Sequence, residues 1–251
     1  MALPPDPDID ETWAQRPIRP LLGVIGTLTV SNVIANRFLA DWAYVPWNCG
    51  VAAVVVSIAV KADGQDFAHM GMSRATVGRG LRMGLGLSAV IVGAYGAALA
   101  LPLTRDLFVD NPSELSGPAL AYKVLVEIPL GTVLLEEIAF RGVLPAMLRD
   151  RVRPSRRAGF TADSIAAGLF GLWHILPASD VSGANSIFRD TLPGATGHVA
   201  VVLGNVLATA VAGMGLSWMR NHSDSVVAPA AVHTTVNGVG SVATWVANRI
   251  F

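Results

Sequence analysis

Residues 118–147 read PALAYKVLVEIPLGTVLLEEIAFRGVLPAM, and only Lys123, Glu127, Glu136, Glu137 and Arg141 carry charge in that run. The stretch exceeds the roughly 20 residues an α-helix needs to cross the hydrocarbon core of a bilayer. Its apolar residues do not alternate, so a barrel strand does not fit, and in lipid only a helix or a closed barrel satisfies the backbone. Pro129 falls inside the run and predicts a split or a tilt there.

The same reading extends outward. Further apolar runs lie at 21–39, 44–61, 82–103, 161–178, 196–219 and 225–248. The expected fold is all-α, a polytopic transmembrane helix bundle of about seven to eight spans. An eighth helix would have to come from 62–81 or 179–196. The first span is interrupted by Asn32, Asn36 and Arg37. Residues 1–19 are Pro-rich and acidic and read as a disordered tail rather than a signal peptide. Residues 20–251 read as one transmembrane domain, and 66–81 as an amphipathic interfacial stretch. Gly80, Gly84, Gly86, Gly93, Gly96 and Ala97 predict close helix packing along the third span.

Composition agrees with a membrane protein. Only 14% of the 251 residues are charged, against about 25% in soluble domains. The 18 basic and 18 acidic residues cancel, leaving no basic excess for nucleic acid. Cys49 is the only cysteine, which excludes a disulfide scaffold. Sixteen arginines against two lysines, in an Ala-, Gly- and Val-rich chain, suggest a GC-rich bacterial genome. Threading the spans puts twelve Lys and Arg residues on one side, the RDRVRPSRR loop at 149–157 among them, and four on the other. The positive-inside rule then places the N-terminus and that loop in the cytoplasm, expected to be that of a bacterium.

Ionisable residues at membrane depth are costly and call for a reason. Three clusters stand out: Glu136, Glu137 and Arg141 in LLEEIAFRG, Phe170 and His174 in LFGLWH, and His233 and Asn237 in AVHTTVN. Glu137 and Arg141 are spaced i,i+4 and read as a structural ion pair, which leaves Glu136 free. Lys123 and Glu127 have the same spacing and read as another structural pair. With Asp163 and Asp224 as helix N-caps, Glu136, His174 and His233 all lie about 13–19 Å below the arginine-rich face at 1.5 Å per residue. A carboxylate and two imidazoles from three separate helices therefore reach one depth.

These motifs resemble the CPBP family: the type II CAAX prenyl endopeptidases, the bacterial Abi proteins and bacteriocin-processing relatives. The family pattern, EExxxR then FxxxH then HxxxN or HxxxD, reads here as EEIAFR (136–141), FGLWH (170–174) and HTTVN (233–237). The matching core covers about 118–248. The resemblance implies an intramembrane endopeptidase, with Glu136 as general base, His174, His233 and Asn237 as its catalytic partners, and Glu137 and Arg141 holding the motif.

The residue chemistry is consistent with this. Peptide hydrolysis needs an activated water and donors for the developing oxyanion. Glu136 can take the water's proton. His174 can orient the water or serve the leaving amine, and His233 and Asn237 can donate to the oxyanion. Glu136, His174 and His233 are also a conceivable zinc set with water in the fourth position, so a divalent metal is the open cofactor question. The expected partners are the lipid bilayer and a membrane-anchored peptide or protein, CAAX-type or otherwise. A non-catalytic scaffold or bacteriocin self-immunity protein is the alternative. A small transporter fits less well, because its path would want polar residues in both halves of the membrane.

Overall fold

The computed structural model describes residues 16–109, 115–155, 157–181 and 194–250, and no strand occurs among them. The helices are α1 (Arg19–Arg37), α2 (Asp41–Asp63), α3 (Val77–Ala100), the short α4 (Pro102–Val109), α5 (Gly117–Arg149), α6 (Ala158–Trp173), α7 (Ile175–Val181), α8 (Gly194–Ser223) and α9 (Val227–Ile250). Helix occupies every expected span. Among the described residues four segments are long and apolar enough to cross a membrane: Asp41–Asp63, Arg74–Ala100, Gly117–Arg149 and Gly197–Ser223. The others fall short for visible reasons. Asn32, Asn36 and Arg37 dilute α1, α6 has 16 residues, and α9 carries the His233–Asn237 motif. Residues 64–73 form turns rather than an eighth span, and 182–193 and the tail residues 1–15 lie outside the described residues.

α5 runs up the centre. Every residue from Ala139 to Leu148 is buried, packed with Leu21, Val24 and Leu28 of α1, Val51 and Val55 of α2, and Ala162, Ala166 and Phe170 of α6. α3 packs along α9, and α8 along α6. Outward positions such as Val90 on α3 and Val211 on α8 are exposed and apolar, as expected of faces turned to lipid.

The close packing expected of α3 is made by two of its glycines. A Cβ on Gly84 would stand 2.8 Å from Ala231 Cβ, and one on Gly80 would stand 2.7 Å from Ser225 Oγ. Gly86, Gly93 and Gly96 have no neighbour within 4 Å of such a carbon. The α6–α8 crossing uses the same device, with a Cβ on Gly171 falling 2.6 Å from the Val206 carbonyl.

Pro129 does not split α5. The helix is wound as π-helix over Lys123–Val133 and Ile138–Val143, with one α-turn, Leu134–Glu137, between them. In the wider winding the backbone bonds run i to i+5, and i,i+4 side chains lose their alignment. Accordingly no Lys123–Glu127 pair forms. Carbonyls of this stretch find partners on α2: Asn48 Nδ2 donates to Gly131 O at 2.7 Å, and Cys49 Sγ to Leu130 O at 3.5 Å.

The arginine-rich ends are tied to one another. Arg151 pairs with buried Asp63, and Gln65 bridges Asp63 and Asp150. Arg220 donates to the His69 carbonyl and lies against Gly71. Both expected aspartate caps are reassigned here. Asp163 is buried within α6, paired with Arg149 at 3.0 Å and accepting from Asn221 at 2.6 Å. Asp224 sits at φ 52 and pairs with Arg79, while Ser225 Oγ receives the Val227 N–H at the start of α9. α6 begins at Ala158 and α9 at Val227, so neither aspartate stands at the cap position.

Candidate intramembrane active site

The α-turn Leu134–Glu137 presents both glutamates to the interior, where Glu136 is 5% and Glu137 1% exposed. α9 brings His233 against them. Its Nδ1 donates to Glu137 Oε1 at 2.8 Å, and its Nε2 faces Glu136 Oε2 at 3.7 Å. Glu136 Oε1 accepts from the indole Nε1 of Trp173 at 3.0 Å, whereas Oε2 is buried with no hydrogen-bond partner among the described residues.

Arg141 is fully enclosed. Its Nη1 lies 3.5 Å from Glu137 Oε1, and its guanidinium carbon sits 3.9 Å from the centre of the Phe170 ring. None of its guanidinium nitrogens makes a hydrogen bond among the described residues. The pair expected from i,i+4 spacing is therefore loose, since Arg141 lies on a π-wound turn and Glu137 gives its short bond to His233. Phe170 is more than filler. It meets Arg141 with its face, His174 and His233 in edge-on ring contacts at 4.5 and 6.1 Å, and Phe140 at 5.3 Å.

His174 stands where α6 breaks. Pro177 has no N–H to give the Trp173 carbonyl, so the helix cannot run on unbroken. Asn32 of α1 takes up that carbonyl through Nδ2 at 2.9 Å. His174 Nδ1 donates to the Phe170 carbonyl at 2.8 Å, which fixes its tautomer and leaves Nε2 as an acceptor. Asn237 lies one turn beyond His233 on α9, half-buried, and its side-chain amide makes no hydrogen bond among the described residues.

The structure thus gathers Glu136, Glu137, Arg141, Phe170 and His233 directly and sets His174 against Phe170. The zinc set is not gathered with them. Among the described residues no group of three or more His, Cys, Asp or Glu side chains is arranged to hold a metal ion. Glu136 and His233 face each other, but His174 makes no pair with either glutamate. As placed, these residues do not form the three-ligand site that their spacing allowed.

Sequence reasoning missed Trp173, although an indole inside LFGLWH, beside the motif histidine, was a readable donor. It also missed Asn32 and Asn48, whose signal was a polar residue at membrane depth with no charge to explain it. Trp173, Phe140, Leu172 and Asn32 help wall an apolar cavity of about 220 Å³ between α1, α5 and α6.

No curated protein and no solved structure matches the chain. The family model described as type II CAAX prenyl endopeptidase Rce1-like matches residues 118–239, from the start of α5 to just past Asn237. That segment, just under half of the chain, carries all three motifs and every side chain that meets at Glu136, and over it the chain is similar to the CAAX-protease (CPBP) family.

Proposed function

We propose that the protein is an intramembrane endopeptidase in which Glu136 activates water against the peptide bond of a membrane-anchored, CAAX-type substrate. The observation that carries this reading is the Glu136 carboxylate itself. One oxygen is anchored by an indole, and the other is buried, unpartnered and 3.7 Å from His233 Nε2. A water held between those two atoms is within hydrogen-bond reach of both.

The reaction then follows from protein groups. Glu136 Oε2 takes a proton from the water as its oxygen attacks the scissile carbonyl. Asn237, with its amide uncommitted, donates to the developing oxyanion, and His233 Nε2 stabilises the same charge when that nitrogen carries a proton. Glu137 holds the His233 ring by Nδ1, so that Nε2 is the atom left facing the reaction. The proton on Glu136, or one passed through His174 Nε2, goes to the leaving amine. The 220 Å³ cavity beside Trp173 offers space to an apolar group of the substrate.

The test is cleavage of a farnesylated CAAX peptide by purified protein in vesicles. Glu136→Ala should retain the thermal unfolding midpoint and lose at least about a thousandfold in kcat/KM. A scaffold would instead lose stability with the same substitution, or keep its function. With the arginine-rich end in the cytoplasm, the substrate reaches the site from that side. Accessibility of a cysteine introduced at Ser155 to an impermeant thiol reagent checks the orientation.

A further inference from the structure

We propose that Trp173 is a positioning residue for Glu136 and decides which of its oxygens carries the proton during turnover. This rests on Glu136 acting as the base. The indole Nε1–H reaches Glu136 Oε1 at 3.0 Å. Indole nitrogen is donor-only: it cannot turn around and accept. A carboxyl oxygen accepts far more weakly once it carries the proton, so the indole bond favours the form in which Oε1 stays unprotonated. The proton taken from water therefore resides on Oε2, the oxygen with no hydrogen-bond partner among the described residues and 3.7 Å from His233 Nε2. A carboxyl group protonated there holds its proton toward the space where the leaving amine forms, and no rotation is needed before transfer.

The indole is itself fixed on three counts. Its ring meets Phe140 edge-on at 5.7 Å, and Phe140 is four residues beyond Glu136 on α5. Its carbonyl is held by Asn32 at 2.9 Å. It is also the last residue of α6, ahead of the break at His174. Three helices thus set the angle of one N–H bond, a form of preorganisation in which a small misplacement of the base is expensive.

Trp173→Phe keeps the ring and removes the donor. Assayed on the farnesylated CAAX peptide, it should lower kcat about tenfold, the worth of one hydrogen bond to a charged group, with KM within about twofold of wild type. The direct readout is the indole 15N–1H resonance of Trp173 in detergent micelles, assigned by its loss in Trp173→Phe. It should lie at a different chemical shift in Glu136→Gln than in the wild-type protein. A wild-type kcat in a folded Trp173→Phe, or an indole resonance indifferent to Glu136→Gln, overturns the proposal. If Glu136→Gln cleaves at the wild-type rate, the glutamate reading of the site falls, whereas the resonance still reports whether the two side chains are bonded.

Discussion

At the residue scale the site is a short chain of dependence: Arg141 over Phe170, Glu137 on His233, Trp173 on Glu136. Glu137 has two buried neighbours and one oxygen without a hydrogen-bond partner among the described residues. Glu137→Gln should lower kcat by one to two orders of magnitude through loss of the His233 orientation, and purified variants with a folded CD spectrum would show it. Arg141→Met tests the opposite cost. It takes the enclosed guanidinium away from Glu137, and removing one member of a buried pair costs about 3–5 kcal/mol, readable as a fall in the unfolding midpoint in detergent. Asn237→Ala removes the proposed oxyanion donor and should cost about 10²–10³ in kcat with little change in that midpoint. Much of this was legible in sequence, because ionisable residues at bilayer depth are rare enough to be informative one by one. Trp173 was not. An indole beside a helix end has several ordinary uses at a membrane, and only its direction in space separates them.

At the element scale the notable departure is α5. Its apolar length announced a spanning helix and Pro129 announced an irregularity, but the form of that irregularity, two π-wound stretches around one α-turn, depends on partners from α2 that no local pattern names. The i,i+4 arithmetic failed in the same place for the same reason: the spacing rule presumes 3.6 residues per turn. Asn48→Leu should expose the cost, since it strands the Gly131 carbonyl in an apolar setting for about 1–3 kcal/mol, and hydrogen exchange along 123–133 should rise. The helix caps show the converse error. Asp163 lies inside α6 and Asp224 ahead of α9, and arginines of α5 and α3 pair with them.

At the scale of the whole molecule, the all-α bundle followed from apolar length alone, and so did the gathering of the arginine-rich ends, which the Asp63–Arg151 and Asp163–Arg149 pairs now join. Only four of the helices are long and apolar enough to span by themselves among the described residues, because α1 and α9 carry polar residues and α6 is short. The family match begins at residue 118, yet two of the hydrogen bonds that shape its site are donated by Asn32 and Asn48, well upstream. The smallest working unit is therefore larger than the region by which its kinship is recognised. Expressed alone, residues 115–251 would carry every motif and still lack the groups that hold Trp173 and the centre of α5. Co-expressed with residues 1–109 as a separate chain, they should regain activity by fragment complementation, as independently inserted helices can assemble afterwards in the bilayer. Seen this way, the first two helices are a built-in cofactor made of protein, one that could be supplied, withheld or exchanged in trans.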